Sequence, residues 1–171
     1  LKDCLDPVVA LTHMDVAAVV LSMAECARIQ GRYRPSKQWY LDSMLMYRKV
    51  HGEHSAGVTD CMYGIGVLVF IQGFYDDALS MLEQCLSTRV LLYGHVHADV
   101  AKTQVALAEN MRELGQYEQA RALVEQAITV PDCPPEDMVV AYTVRGKLDL
   151  AYGRLECCFD SFQQALELVR G

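Results

Sequence analysis

His13-Met14-Asp15-Val16-Ala17 returns as His97-Ala98-Asp99-Val100-Ala101, and the two copies begin 84 residues apart. Half that distance is a period in its own right. Gly31-Arg32-Tyr33, Gly73-Phe74-Tyr75 and Gly115-Gln116-Tyr117 follow one another at intervals of 42 residues, and Gly153-Arg154-Leu155 comes 38 residues later. A fixed period of this length marks a chain of stacked supersecondary units rather than one closed core.

Aligning the segments on Gly31, Gly73, Gly115 and Gly153 exposes columns of small residues. Ala24, Gly66, Ala108 and Gly146 stand seven before the glycine; Ser36, Ala78, Ala120 and Cys158 stand five after it; Ser43, Cys85, Ala127 and Ala165 stand twelve after it. Bulky apolar residues fill the columns beside them: Tyr40, Leu82, Val124 and Phe162, then Met44, Leu86, Ile128 and Leu166. Spacings of three, four and seven are helical. Small side chains allow two helices to approach at the short end of the interaxial range, about 8 Å, while their bulky neighbours fill the grooves. Each unit therefore reads as a helix hairpin whose glycine supplies the positive φ that ends the first helix, with the tyrosine ring laid across the turn.

The spacing predicts first helices near 15–30, 57–72, 98–114 and 136–152, and second helices near 35–50, 76–92, 118–130 and 156–169. Asp15 and Asp99 are the expected N-caps, Pro35 suits a first turn, and Gly52, Gly94 and Pro131 mark stops. The units are 13–53, 54–96, 97–134 and 135–171. Residues 1–12 read as the tail of a preceding repeat or a linker. With no initiator methionine and an end on Gly171, the chain reads as a segment of a longer protein.

A formal charge of −7 and a pI near 5.1 disfavour a phosphate-tracking nucleic-acid binder, which needs a basic surface to displace counterions. The longest strongly apolar run, Ile65 to Ile71, is far short of the roughly 20 residues that span a bilayer, so no membrane insertion is expected. Seven cysteines without a CxxC pair point to free thiols in a reducing, cytoplasmic setting.

The helix pairs, the Gly-x-Tyr turn and the ending Gln164-Ala165-Leu166-Glu167-Leu168 resemble tetratricopeptide repeats. The 42-residue period, with Tyr93-Gly-His-Val-His-Ala-Asp-Val-Ala101, Leu107-Ala108 and Ala120, is similar to the long-linker repeats of kinesin light chains and related ciliary and signalling proteins. The resemblance implies an all-α, right-handed superhelix of about four hairpins, whose first helices line a groove for a peptide or a partner's helix. It implies no catalytic residues and no cofactor, and it raises a cytoskeletal or ciliary association. Kinesin light chains place an asparagine on the groove side of the first helices to clamp the ligand backbone. The matching positions here are Leu21, Tyr63 and Val105.

Groove-facing positions fall thirteen, ten, six and three before each glycine, along one helix face away from the small-residue columns. They are Ala18, Leu21, Glu25 and Arg28; Asp60, Tyr63, Val67 and Phe70; Lys102, Val105, Glu109 and Arg112; and Val140, Thr143, Lys147 and Leu150. An apolar middle flanked by arginines and lysines is the composition of a protein-binding hot spot. The bland alternative is that Val67 and Phe70 only pack on a neighbouring unit while the charges form a solvated face. Two further alternatives stay open: an array packing on neighbouring protomers or cytoskeletal surfaces, for which Trp39 and Tyr47 are the candidate convex contacts, and a regulatory module of a larger enzyme or signalling protein. Partner identity and oligomeric state are not encoded in any motif.

Other chemistry-bearing residues read as structural. His51, His54, His95 and His97 recur in equivalent loops, so a turn role is favoured over a metal site, although His-x-His can chelate. Cys85 and Cys158 sit in small-residue columns as alanine-sized packers, and Cys157 near a helix start is the one thiol placed for oxidation. Arg145 and Asp149, four apart on one helix, are positioned to pair. Neither a Ser-His-Asp order, a glycine-rich phosphate loop nor paired catalytic carboxylates stand out.

Overall fold

A computed structural model describes residues 7–170, with side chains from Asp15 onward. The helices run α1 Pro7–Ile29, α2 Tyr33–His51, α3 Ala56–Ile71, α4 Tyr75–Tyr93, α5 Ala98–Glu113, α6 Tyr117–Ile128, α7 Pro135–Ala151 and α8 Leu155–Arg170. Among the described residues there is no strand. The chain is an all-α superhelix of four hairpins.

Each hairpin turn is built the same way. Gly31, Gly73, Gly115 and Gly153 have φ between +71° and +84°, the left-handed region that a Cβ disfavours. The glycine N–H donates to a carbonyl three residues back, and the next N–H reaches five back: Gly31 to Arg28 and Arg32 to Ala27, Gly73 to Phe70 and Phe74 to Val69, Gly115 to Arg112 and Gln116 to Met111, Gly153 to Leu150 and Arg154 to Asp149. This Schellman pairing satisfies carbonyls that the helix end would leave open. The carbonyl of the residue after each glycine then accepts the first bond of the next helix, as Ser36 to Arg32 and Ala78 to Phe74 show. The second helices consequently start at Tyr33, Tyr75, Tyr117 and Leu155.

All twelve small-column residues are buried. The close approach they permit is measurable at Gly66, where an added Cβ would lie 2.8 Å from Leu82 Cδ2, and at Gly146, where it would lie 2.7 Å from the Phe162 ring. Tyr40, Leu82 and Val124 are fully buried, and such side chains each contribute about 1.5–3 kcal/mol by leaving water. One core cluster joins Ala24, Tyr40, Val58, Ile65 and Ala78; a second joins Leu82, Leu107, Val124, Val144 and Leu148. Helix α4 belongs to both, so the core continues along the stack.

Curvature follows from which helices meet. First helices touch in α1·α3, α3·α5 and α5·α7, whereas the second helices make no such contacts with one another among the described residues. Second helices fan out on the convex side and the first helices converge on the concave one.

Several local expectations are corrected. Helix α1 starts at Pro7, not near residue 15, so Asp15 is a helix-interior residue rather than an N-cap. Pro7 to Leu11 of the expected tail or linker is helical, and residues 1–6 lie outside the described residues. Asp99 is not a cap either: His97 takes that position, its Nδ1 accepting from the Asp99 N–H at 3.2 Å while its ring stacks on Tyr93 at 4.2 Å. That is a structural turn role for the histidine. Tyr75 meets Phe70 across its turn at 5.7 Å, but the Tyr117 ring reaches onward to Tyr152 of the next unit, at 5.8 Å. Arg145 and Asp149 do not pair. Buried Asp149 binds Arg121 of α6, and Arg145 bonds Ser161 at 3.0 Å and Gln164 at 2.6 Å on α8. The cross-helix partners are nearer than the helical neighbour. Trp39 and Tyr47 are half-buried against the first core cluster rather than free on the convex face, and the Tyr47 ring covers Gly57.

Candidate functional site

The concave face carries a recess of about 260 Å³ between α3, α5 and α7. Tyr63, Val67 and Phe70 enter it from α3, Lys102, Val105 and Glu109 from α5, and Val140 from α7. These seven come from the stripe read off the sequence, brought together because positions three and four apart share a helix face and the three faces converge. Ile71, Ala106 and Asp137 complete the lining.

Val105 is 5% exposed and joins the core cluster, so the floor of the recess is continuous with the core. Tyr63 forms one wall. The Arg89 guanidinium lies 5.1 Å from its ring centroid and the Lys102 ammonium 5.8 Å away, an arrangement that fixes the ring through its quadrupole. Burial pushes the Tyr63 hydroxyl up to about 12, with Arg89 opposing that shift. The phenol is therefore a neutral donor throughout the physiological range.

Ion pairs form the rim. Lys102 Nζ lies 3.6 Å from Asp137 Oδ1, and Lys147 Nζ lies 2.6 Å from Glu109 Oε1. Exposed pairs of this kind contribute little stability, about 0–1 kcal/mol, and exchange partners readily. They can present donors and acceptors to a visiting backbone while the apolar floor takes a side chain.

Other stripe residues lie elsewhere. Asp60 binds Arg89 Nη2 at 2.6 Å; its burial raises its carboxyl above the ordinary range, with Arg89 opposing. Arg28 Nε donates to the Tyr40 hydroxyl at 3.4 Å, Arg112 pairs with neighbouring Glu113, and Thr143 donates to the Val139 carbonyl at 2.7 Å. Leu21 packs on the first core cluster, Glu25 and Leu150 are exposed outside the recess, and Ala18 lines a different trough on α1.

Sequence reasoning missed Arg89, which is 2% exposed. Its Nη1 donates to Thr103 Oγ1 at 2.8 Å and to the Asp99 carbonyl at 2.9 Å, tying α4 to α5 behind Tyr63. The available signal was an arginine in the column that Tyr47 occupies one unit earlier. Asp137 was equally legible, one turn before the stripe began.

Among the described residues no cluster of three metal-ligating side chains occurs. Cys61 and Cys85 thiols are both pushed up to about 11 by burial, the reverse of an activated nucleophile. Cys85 donates to the Thr59 carbonyl at 3.3 Å.

The sequence profile of the tetratricopeptide repeat matches residues 15–89 and 58–131, which together span more than half of the chain. The chain belongs to the tetratricopeptide repeat family. Tetratricopeptide repeats are protein-interaction scaffolds, and the concave recess lies on the first helices. Among solved structures, BtubC (BKLC) from P. vanneervenii superposes with a TM-score of 0.77 at 16% identity, covering 99% of this chain and 66% of that one. The nearly identical TPR-like repeats of a Podosopora anserina protein described as a kinesin light chain superpose at 0.73 and 14% identity, covering 91% of this chain and 75% of that one; a single-substitution form of those repeats gives the same score and identity. At such identities the likeness is one of fold. This tetratricopeptide chain spans about two thirds of the BtubC chain's length. No curated protein matches its sequence.

Proposed function

We propose that this chain is a non-enzymatic adaptor that binds an extended peptide, or one face of a partner's helix, in the concave groove. The observation that carries the reading is the recess: an apolar floor joined to the core, one aromatic wall held by two cations, and a rim of exchangeable ion pairs. Its volume of about 260 Å³ lies below the 300–1,000 Å³ typical of small-molecule pockets, which favours one inserted side chain over a metabolite. Both neighbours, the main chain of a ligand and the ion-pair rim, remain wet, as in most peptide sites.

The absence of the asparagine clamp, with Leu21, Tyr63 and Val105 in its place, sets this groove apart from kinesin-light-chain recognition and shifts the affinity onto side-chain insertion. Free thiols and an acidic surface suit a cytoplasmic adaptor. Among the described residues no helix is long and apolar enough to cross a membrane.

Peptides selected from a random display library on the 171-residue chain provide the test. Changing Tyr63→Ala together with Phe70→Ala should weaken the selected peptides by at least about tenfold, since aromatic anchors dominate such sites, with helical content unchanged. Peptides that bind the double variant as tightly as the parent would refute the reading. Loss of helical signal would instead assign both rings to the core.

A further inference from the structure

Inside the chain, one interface is made three times: a second helix lies against the first helix of the next unit, in α2·α3, α4·α5 and α6·α7. Its central pair joins the residue nine after one glycine to the residue nine before the next. These pairs are Tyr40 with Gly64, Leu82 with Ala106 and Val124 with Val144. Tyr40 covers Gly64 so closely that an added Cβ would lie 2.3 Å from its ring. As the second-helix residue shrinks, the residue opposite grows, which is what close packing across a fixed interaxial distance demands.

Two members of this series have no opposite number among the described residues: Phe162, nine after Gly153, and Ser22, nine before Gly31. A large ring and a small residue complete the same size rule. The surfaces around them are both apolar and open. On α8, Leu155, Phe159, Phe162, Leu166 and Val169 follow spacings of four and three and are 67%, 69%, 38%, 46% and 69% exposed. That is one continuous apolar seam on a helix face. On α1, Val19 and Met23 are 59% and 42% exposed and, with Ser22, Cys26 and Trp39, line an apolar trough of about 470 Å³. The Ser22 hydroxyl already donates to the Ala18 carbonyl at 3.1 Å, so covering it strands no donor.

We propose that a second copy of this chain docks its α8 into the α1–α2 trough, repeating between copies the interface that α2 makes with α3. The occupant is a second copy because its α8 supplies, in register, the residues that the internal second helices supply. Such contact is heterologous and leaves one seam and one trough free at the ends, so association continues beyond two copies unless the ring closes.

Sedimentation of the 171-residue chain over a concentration series tests this. The average mass should rise past that of a dimer. Val19→Glu and Leu166→Glu should each weaken association at least about tenfold, the cost of placing an unpaired charge in an apolar contact, with helical content unchanged. Should Leu166→Glu lose helical signal, Phe159→Glu replaces it. An equal mixture of the Val19 and Leu166 variants should give a dimer and nothing larger, because one copy keeps an intact α8 seam and the other an intact trough. A parent chain that stays monomeric, variants that associate like the parent, or a mixture that forms no dimer would each overturn the proposal.

Discussion

Gly64→Ala puts the packing account to a quantitative test. Glycine inside a helix is ordinarily a weakness, and alanine in its place gains about 0.5–1 kcal/mol of backbone entropy. At position 64 the new Cβ would lie 2.3 Å from Tyr40 Cε1, 2.4 Å from Cζ and 2.8 Å from the hydroxyl oxygen. Tyr40 is fully buried and its hydroxyl accepts from Arg28, so the ring has nowhere to retreat. Overpacking of this kind costs about 1–3 kcal/mol, and an overlap with a fixed ring belongs at the upper end. The net expectation is a loss of about 2 kcal/mol, equivalent to roughly 4–8 °C in Tm for a chain of this size. Tyr40→Leu should rescue it, because Leu82 and Ala106 already occupy the same two positions one unit later. Thermal and urea unfolding of the two single variants and the double should therefore show a favourable coupling of at least about 1 kcal/mol. A Gly64→Ala chain as stable as the parent, or a strictly additive cycle, would refute the reasoning.

Gly115→Ala should cost about 1–2 kcal/mol in urea unfolding, because φ at Gly115 is +76° and a Cβ opposes that region although the space is open. In thiol labelling at pH 8, buried Cys61 and Cys85, held near 11, should react far more slowly than exposed Cys26 and Cys157 until denaturant opens the core. Arg89→Ala should destabilise by about 2–4 kcal/mol, losing the bonds to Thr103 and the Asp99 carbonyl and leaving a cavity behind Tyr63. Arg89→Met should recover most of that, since Asp60 is 44% exposed and can hydrate once the cation is gone.

The fold was legible because a repeat writes each packing rule several times over. Ala24, Gly66, Ala108 and Gly146 say the same thing four times, and the glycine turns fix where each first helix must stop. Boundaries failed where the repeat offers no second copy to compare: Pro7 opens α1 ahead of the aligned region, and nothing in the later units corresponds to it. Caps failed at Asp99 because helix propensity cannot say which of two nearby polar residues accepts the first N–H, and His97 does. For the site, helical spacing placed Tyr63, Val67, Phe70, Lys102, Val105, Glu109 and Val140 on one face. It could not say where along the stack that face closes into a recess. The first unit's Leu21, Glu25 and Arg28 satisfy the same spacing but lie outside it, because closure depends on the convergence of α3, α5 and α7. Partner choices such as Asp149 with Arg121 are set by distances between helices, which a one-dimensional period does not contain.

Methyl-resolved NMR of the labelled chain, titrated with a display-selected peptide, gives the most direct measurement of the groove reading. Val67, Val105 and Val140 line the recess, whereas Leu45 and Leu91 stand 54% and 82% exposed on second helices. The account predicts saturable shifts at the three valines with Leu45 and Leu91 unmoved. Shifts confined to the second-helix leucines, with the valines silent, would contradict it.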